Sequence, residues 1–434
     1  MSGSTGFRKI PAYLAVVFIA LLTALASRDA ATARDLRVLT SFPDYFTKPF
    51  VEDFSKKYPA INVTILNKNT VASVKEILLD NPRGFDLFWS SSPEAFSLLE
   101  KSGKLGPRTS GGTDGATYAD FALSGVGWCW LESFDGRPPA TWNDLLDRRF
   151  QDKVAMSHPA RSGSTHMLLE VILQDRGWDR GWQYILELSG NLKTITARSF
   201  SVIEGLKRGR FDIGLSIDFL ALTEAGDGVR FRYGQPVMMA PARIAVLKEG
   251  PAQEEARLFI DHLLGKPSQE LLTRSDIRRI PVDAAVRERS LDLLPREVQA
   301  ALKFSWSTYD PDLAETRYLA VNDLFDIFIT RNLVQRRNLL RRLDQLSREV
   351  PSDLVPTLIK IKKKLNQLPV SEIDAVRSEQ ARKVQSDGGT TVSGAAKEWS
   401  PATWRLAAKE QLADVDRLLS ELEENVRNAV SLHD

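Results

Sequence analysis

Four small residues in a row, Ser162-Gly163-Ser164-Thr165, carry the strongest chemical signal in the sequence. They lie between a predicted strand and a predicted helix. Backbone N–H groups and hydroxyls at the start of a helix, together with the positive end of its dipole, can bind an anion. The alternative is plain N-capping of the helix by Ser164 or Thr165. The segment lacks the lysine of a Walker phosphate loop and does not match the G-x-S-x-G nucleophile pattern.

An arginine and an aspartate follow two later predicted strands. Arg198 and Ser199 come after a strand position at Ile195, and Asp218 ends the apolar strand 212–217. The planar guanidinium of Arg198 suits a carboxylate or a phosphate, with a surface salt bridge as the alternative. Asp218 is a candidate for binding an amine, hydroxyl or cation of a ligand, or for capping a helix.

Two further loops, Thr40-Ser41 and Ser90-Ser91, are rich in hydroxyl groups, and each follows a predicted strand. Strands that alternate with helices predict a parallel α/β sheet. In such a sheet, ligands bind at the loops that follow the carboxyl ends of the strands. We therefore expect these hydroxyls to lie on the same crevice as the serine-rich helix start.

No residue set in the sequence predicts a metal centre or a catalytic site. His158 and His166 are eight residues apart, and neither a cysteine nor a carboxylate cluster completes a metal-ligand set. No Ser-His-Asp order or carboxylate pair supports hydrolysis, so neither an enzyme activity nor a cofactor is predicted. The one cysteine, Cys129, lies between Trp128 and Trp130 and is expected to be a buried, inert thiol.

The spacing of apolar residues predicts the elements that position these loops. Phe46, Phe50 and Phe54 recur four residues apart, which predicts an amphipathic helix. Residues 237–247 are predicted as a strand that Pro241 interrupts. The other predicted strands are 36–39, 61–66, 86–89, 154–156 and 212–217 and a segment near 278–282. Further helices are predicted at 71–79, 142–146, 167–174, 202–208 and 254–264, with one more opening at 90–93 and another around 177–190.

The last third of the chain differs from the rest, because no strand pattern is found there. Apolar positions from Leu324 to Leu346 trace one face of a single long helix, and further helices are predicted around 358–365 and 412–426. The segment 386–395 is rich in glycine, serine and threonine and is predicted to be a flexible insertion. We therefore predict an all-helical C-terminal extension over residues 291–434.

The N-terminus has the pattern of a secretory signal peptide. Arg8 and Lys9 precede the uncharged apolar run 12–26, and two small-residue cleavage patterns, A-L-A and A-T-A, end at Ala26 and Ala33. The run of about 15 residues is shorter than the roughly 20 residues that span a bilayer. We expect residues 1–33 to direct export and to be removed, leaving a soluble protein without a lipid anchor.

Length and charge limit the classes of function. A chain of 434 residues is too long for one hydrophobic core, so two or three domains are expected. The net charge of +2 gives no case for a nucleic-acid partner, since binding a phosphate backbone needs a concentrated basic face.

Several blocks together resemble a known family, the family 1 bacterial extracellular solute-binding proteins of ABC transporters. The blocks are the start at 38–42, FDLFWSSSPEAF at 85–96, HPARSGSTHMLLEVILQDRGWDRGW at 158–182, GNLKTITARSF at 190–200 and IGLSIDF at 213–219. Within the family, the sequence is most similar to ferric-iron-type binding proteins and to phosphoglycerate-transport regulatory proteins. The resemblance implies a periplasmic-binding-protein type 2 fold, in which two α/β lobes joined by a hinge close around a ligand in the periplasm.

The resemblance also implies which loops bind the ligand. Carried over by position, they contain Thr40, Ser41, Ser90, Ser91, Ser162, Gly163, Ser164, Thr165, Arg198, Ser199 and Asp218. Hydroxyls, helix N-termini and one arginine suit a small phosphorylated or carboxylated ligand. Ferric-binding relatives use an adjacent tyrosine pair, whereas Tyr233 stands alone here, so ferric iron or an iron chelate is the alternative ligand.

The implied partner lies in the inner membrane. A transport receptor presents its ligand to an ABC permease, whereas a sensory adaptor acts on a membrane histidine kinase, and the helical extension motivates this second possibility. The expected domains are a signal peptide at 1–33, the first part of lobe 1 at 34–115, lobe 2 at 116–220, the return part of lobe 1 at 221–290 and the helical extension at 291–434.

Overall fold

The computed structural model describes residues 34–107, 117–303, 307–386 and 400–431. The predicted signal peptide lies outside these ranges, as does all of the predicted flexible insertion except its first residue, Ser386. Among the described residues, no helix is both long enough and apolar enough to cross a membrane.

Strands and helices alternate through the first two thirds of the chain. The strands are β1 (Arg34–Thr40), β2 (Ile61–Asn67), β3 (Leu87–Ser90), β4 (Tyr118–Leu131), β5 (Val154–Ser157), β6 (Leu192–Thr196), β7 (Ile213–Ile217), β8 (Val229–Tyr233), β9 (Met238–Val246), β10 (Ile280–Pro281) and β11 (Ser307–Thr308). The helices are α1 (Asp44–Lys57), α2 (Thr70–Leu78), α3 (Pro93–Lys101), α4 (Gly163–Arg176), α5 (Trp178–Leu188), α6 (Phe200–Lys207), α7 (Asp218–Leu222), α8 (Gln253–Leu264), α9 (Lys266–Leu271), α10 (Ala284–Arg289), α11 (Arg296–Leu302), α12 (Pro311–Glu315), α13 (Tyr318–Phe328), α14 (Leu333–Leu346), α15 (Val355–Asn366), α16 (Glu372–Ser386) and α17 (Pro401–Ser431).

The first lobe is built on the parallel strands β2, β1 and β3, with β9 antiparallel to β3 and to the first part of β4. Helix α1 packs on this sheet through its predicted phenylalanine face. Phe46, Phe50 and Phe54 are fully buried, and the ring of Trp89 from β3 contacts both Phe46 and Phe50. The four-residue spacing in the sequence therefore predicts the buried face of α1 correctly.

The second lobe contains the parallel strands β6, β5 and β7, with β7 and β8 antiparallel to the second part of β4. Strand β4 passes through both lobes, because residues 118–125 pair with β9 and residues 126–130 pair with β7. The chain crosses back between β8 and β9. These two crossings agree with the predicted two-lobed α/β fold with a hinge. Because β8 pairs in the second lobe, that lobe extends past the expected boundary at residue 220.

Two local predictions in the α/β region are wrong. Pro241 does not interrupt β9, because it falls between the part of that strand that pairs with β3 and the part that pairs with β11. The predicted helix 142–146 is a short 3₁₀ turn at Asn143–Leu146. The side chain of Asp144 accepts a hydrogen bond from Ala140 N at 2.8 Å, and such local bonds compete with helix formation.

One prediction for the C-terminal extension is also wrong. The long helix predicted over 324–346 is two helices, α13 and α14, separated by a 3₁₀ turn at Thr330–Asn332. The side chain of Asn332 donates a hydrogen bond to Ile327 O at 2.7 Å, which gives a carbonyl near the end of α13 a partner outside the helix. The predicted helical extension is present, and it also contains the two-residue strand β11, which pairs with β9.

The start of the extension is attached to the first lobe. Tyr309 donates a hydrogen bond to Glu94 of α3 at 2.8 Å, and Lys101 of α3 forms an ion pair with Glu315 at 3.1 Å. Tyr318 is fully buried and belongs to the hydrophobic core of the first lobe.

The next part of the extension is attached to the second lobe. Arg317 donates to both carboxylate oxygens of Glu170 in α4, at 3.2 and 2.8 Å, and both side chains are buried. Arg336 of α14 donates to Ser189 Oγ at 3.1 Å and to Leu186 O at 3.2 Å. Farther along, α14, α15 and α17 enclose a separate small core of leucine, isoleucine and valine side chains. The extension is therefore bound to both lobes rather than to one.

Replacing Arg317 by methionine is expected to lower the free energy of unfolding by about 3–5 kcal/mol, because Glu170 would remain buried without its cation. Arg331→Met is the matched control, since Arg331 pairs with Asp326 and its side chain is 57% exposed. This control is expected to cost at most about 1 kcal/mol. Urea unfolding followed by circular dichroism measures both variants. Equal losses would contradict the attachment of the extension through Arg317.

Candidate functional site

The loops after β1, β3, β5 and β6 meet in a small cavity between the lobes, with a volume of about 30 Å³. Seven of the predicted ligand residues line it: Ser41, Ser91, Ser162, Gly163, Ser164, Arg198 and Ser199. The rest of the lining consists of Arg161 and the apolar residues Phe42, Pro43, Phe200, Ile217, Phe219 and Leu220. The lining residues therefore include two arginines and no carboxylate.

The serine-rich segment forms the first turn of α4, because this helix begins at Gly163 and not near Met167 as predicted. Ser162 is the N-cap residue, in place of the predicted Ser164 or Thr165, and its Oγ accepts a hydrogen bond from Thr165 N at 3.3 Å. The first N–H groups of a helix have no acceptor within it. Those of Gly163 and Ser164 are at the cavity, so capping by Ser162 leaves them available to an anion.

Each hydroxyl-rich loop of the first lobe brings one serine to the cavity. Ser41 Oγ lies 3.0 Å from the hydroxyl of Ser90, which is itself buried. Ser91 Oγ accepts a hydrogen bond from Arg279 at 3.0 Å. Ser41 and Ser91 both remain partly exposed, so a ligand between the lobes can reach their hydroxyls.

Arg198 reaches from the second lobe to the first. Its Nη2 donates to Asn67 Oδ1 at 2.9 Å and to Ser41 O at 3.3 Å, and its guanidinium lies 5.3 Å from the centre of the Phe200 ring. Both acceptors are neutral, and Arg198 forms no salt bridge with any described residue. Burial lowers the pKa of this arginine, since the charged form loses hydration. Arg198 is thus a partly desolvated cation without a carboxylate partner in the described ranges.

Arg161 is a lining residue that the sequence-based interpretation did not single out. It directly precedes the N-cap Ser162, it is exposed, and it too forms no salt bridge within the part of the chain that the structure describes. Its position next to the serine-rich segment is the signal that could have identified it.

Four predicted ligand residues are buried beside the cavity and do not line it: Thr40, Ser90, Thr165 and Asp218. Thr40 Oγ1 donates a hydrogen bond to Trp89 O at 2.7 Å and ties the end of β1 to β3. Thr165 Oγ1 donates to Ser162 Oγ at 3.1 Å within the first turn of α4. These hydroxyls support the shape of the loops.

Asp218 is held entirely by protein groups. Its carboxylate accepts hydrogen bonds from Phe219 N at 2.7 Å, Gly125 N at 2.8 Å and Tyr233 Oη at 2.9 Å. Burial raises the pKa of this carboxyl, and the three donors oppose that shift. Gly125 lies where β4 passes from one lobe to the other, so Asp218 anchors the crossing strand. Tyr233, the tyrosine considered above for the iron alternative, is therefore already bonded to Asp218 through its hydroxyl.

The two histidines and the cysteine also have protein surroundings. His158 Nε2 lies 3.4 Å from Asp326 Oδ1, and His166 Nδ1 lies 3.2 Å from Asn322 Oδ1, so both contact α13. In the described ranges, no group of three or more His, Cys, Asp or Glu side chains is placed to hold a metal ion. Cys129 is buried as predicted, and burial raises the pKa of its thiol to about 12.

The two lobes touch at Gly163. A Cβ atom at this position would lie 2.8 Å from Ser92 Cβ and 3.2 Å from Thr70 Oγ1, both of which belong to the first lobe. A cavity of about 30 Å³ has room for one or two water molecules. The lobes are therefore in contact at this point, and they must move apart to make room for anything larger than one or two water molecules.

Comparison with known proteins agrees with this architecture. The family model of the bacterial extracellular solute-binding proteins matches residues 131–304. The phosphoglycerate transport regulatory protein PgtC of Salmonella typhimurium is 30% identical over 332 residues, which cover 72% of this chain and 81% of PgtC.

Two solved structures show the same fold at low sequence identity. The periplasmic binding protein AfuA from Actinobacillus pleuropneumoniae, with exogenous fructose-6-phosphate bound, superposes with a TM-score of 0.62 at 16% identity, over 69% of this chain and 99% of AfuA. The apo ferric ion-binding protein A of Pasteurella haemolytica gives a TM-score of 0.57 at 14% identity, over 68% of this chain and 97% of that protein. With the identity to PgtC and the family match, these findings show that the chain belongs to the bacterial extracellular solute-binding proteins.

Proposed function

We propose that this protein binds a small phosphorylated or carboxylated metabolite between its lobes and presents it, chemically unchanged, to an inner-membrane ABC permease. The observation that carries the proposal is the charge of the cavity lining, in which Arg161 and Arg198 face no carboxylate. A cation in a partly dehydrated site gains most from a charged acceptor, because hydrogen bonds between ions are about twice as strong as neutral ones.

The geometry of the site also favours an anion with several oxygen atoms. The N–H groups of Gly163 and Ser164, the hydroxyls of Ser41 and Ser91, and the guanidinium of Arg198 are all hydrogen-bond donors around one small space. Phosphate and carboxylate groups offer two or more acceptor oxygens to such a set.

The known relatives support the same ligand class. PgtC is named for phosphoglycerate transport, and the AfuA structure contains a sugar phosphate. Ferric iron, the other class that the resemblance allows, prefers anionic oxygen ligands. The cavity lining contains no carboxylate and no tyrosine among the described residues, so it fits an anion better than a ferric ion.

A thermal-shift screen of phosphorylated and carboxylated metabolites tests the proposal. A ligand that binds only the folded protein raises its melting temperature, by an amount that grows with ligand concentration. Phosphoglycerates and hexose phosphates are expected to give such shifts. If no anionic metabolite shifts the melting temperature while a neutral solute or ferric iron does, the proposed ligand class is wrong.

Arg198→Gln is expected to weaken the affinity for the ligand found in that screen by about 10- to 100-fold, since a hydrogen bond to a charged group contributes about 1.5–3 kcal/mol. Arg180→Gln is the control, because Arg180 is an exposed arginine of the second lobe that does not line the cavity. Isothermal titration calorimetry measures both variants. Equal affinities of Arg198→Gln and the wild type would contradict the role of this arginine.

Gly163→Ala is expected to destabilise the closed form by about 1–3 kcal/mol, as overpacking does in a tight contact. The added methyl group would collide with Ser92 and hold the lobes apart. Small-angle scattering with saturating ligand is expected to give a larger radius of gyration than for the wild type, and the affinity is expected to fall. Gly226→Ala is the control, since no atom lies within 4 Å of the added Cβ there. A closed, tightly binding Gly163→Ala protein would refute the proposed closure.

A second candidate function is a sensory adaptor that acts on a membrane histidine kinase. The specific observation in its favour is the attachment of the extension to both lobes, through Glu94 and Lys101 on one side and Glu170 on the other. A change in lobe closure would therefore alter the contacts of the extension, which could report ligand binding to a partner. The regulatory name of PgtC supports the same idea.

Ile359→Asp distinguishes the two functions, because Ile359 is 61% exposed on α15 of the extension and does not line the cavity. If the extension contacts a kinase, this change is expected to abolish the ligand-dependent transcriptional response while leaving ligand affinity and uptake unchanged. Leu79→Asp, at a residue 72% exposed on the first lobe, is the control. A normal response in Ile359→Asp cells would argue against a kinase contact at this surface.

A further inference from the structure

A buried arginine, Arg279, lies directly behind the cavity wall. It is 1% exposed and belongs to the segment just before β10, far in sequence from the other site residues. Its guanidinium lies 4.2 Å from the centre of the Phe219 ring and 4.9 Å from that of Phe42. Both rings line the cavity. Arg279 is thus separated from the cavity by a single layer of side chains.

The hydrogen bonds of Arg279 connect it to the cavity. Its Nε and Nη2 donate to Ser124 Oγ at 3.1 and 3.0 Å, and Nη2 also donates to Ser91 Oγ at 3.0 Å. Its Nη1 has no partner in the described part of the chain. Ser124 is buried away from the cavity, whereas Ser91 lines it.

The charge of Arg279 is only partly compensated by the protein. Asp218 attracts it electrostatically, but the two side chains form no direct ion pair, and the carboxylate of Asp218 already accepts three other hydrogen bonds. Burial lowers the pKa of Arg279 to about 9, so the side chain is still a cation at neutral pH. An anion in the cavity would supply the negative charge that this buried cation lacks.

We propose that Arg279 is a positioning residue that selects an anionic group at Ser91. Because Ser91 Oγ accepts a hydrogen bond from Arg279, its own proton is directed away from the guanidinium and is free to donate to a ligand oxygen. The positive charge behind the wall favours a negatively charged acceptor at that point and disfavours a ligand ammonium group. This inference rests on the proposed function, since it concerns the same cavity.

A double-mutant cycle tests the inference. The affinities of the wild type, Arg279→Lys, Ser91→Ala and the double variant are measured by calorimetry with 3-phosphoglycerate, fructose 6-phosphate and inorganic phosphate. Each single change is expected to weaken binding at least tenfold, because Ser91→Ala removes the donor and Arg279→Lys keeps the charge but loses the fork that holds Ser91 and Ser124 together. The affinity of the double variant is expected to be no lower than that of the single variant with the lower affinity, because Arg279 acts through the Ser91 hydroxyl.

Arg336→Lys is the matched control. Arg336 is fully buried, and burial lowers its pKa to about 9 as well, but it bonds to the second lobe and to α15, away from the cavity. The Arg336→Lys variant is expected to be less stable than the wild type and to keep the wild-type affinity for the probes. If Arg279→Lys does not fold, Ser124→Ala loosens the same guanidinium and is expected to weaken binding instead.

The outcomes separate this inference from the proposed function. If the wild type binds a probe and Arg279→Lys, or Ser124→Ala in its place, binds equally well, the inference alone is overturned. Additive losses in the cycle overturn it too, since Arg279 would then act independently of Ser91. If the wild type binds neither these probes nor any anionic metabolite of the thermal-shift screen, the proposed anion site fails and the inference fails with it.

Discussion

The close approach of Gly163 to Ser92 and Thr70 is the contact on which the closed site depends. It brings the first turn of α4, which belongs to the second lobe, against the loops of the first lobe. Only a residue without a side chain allows this distance. The same contact places the N–H groups of Gly163 and Ser164 beside Ser41 and the rest of the cavity lining.

Electrostatics determines what this closed site can hold. The protein places its carboxylates elsewhere: Asp218 is bonded to Tyr233 and to the crossing strand β4, and Glu170 is bonded to Arg317 of the extension. The arginines at the cavity are left with neutral acceptors such as Asn67. Under the proposed function, an anion that bonds to the donors of both lobes at once stabilises the closed form, because the site has no internal counter-charge.

The sequence predicts the part of the site that depends on local pattern. Strand periodicity places the loops after β1, β3 and β5, and the small residues at 162–165 mark the helix start. It does not show which hydroxyl in each loop faces the cavity, because Ser90 and Ser91 are adjacent and only their backbone geometry separates them. Arg279 could not be assigned from sequence, since it reaches Ser91 across 188 residues. The attachment of the extension to both lobes also depends on contacts between residues far apart in sequence. The spacing of apolar residues predicts a helix but not the elements on which it packs.

A crystal structure of the protein with its bound ligand tests the central claim most directly. The account predicts a phosphate or carboxylate group in the cavity, with its oxygens about 2.7–3.2 Å from Arg198, from the N–H groups of Gly163 and Ser164, and from Ser91 Oγ. A ligand bound outside this cavity, or a neutral ligand whose atoms leave Arg198 bonded only to Asn67 and Ser41, would contradict it.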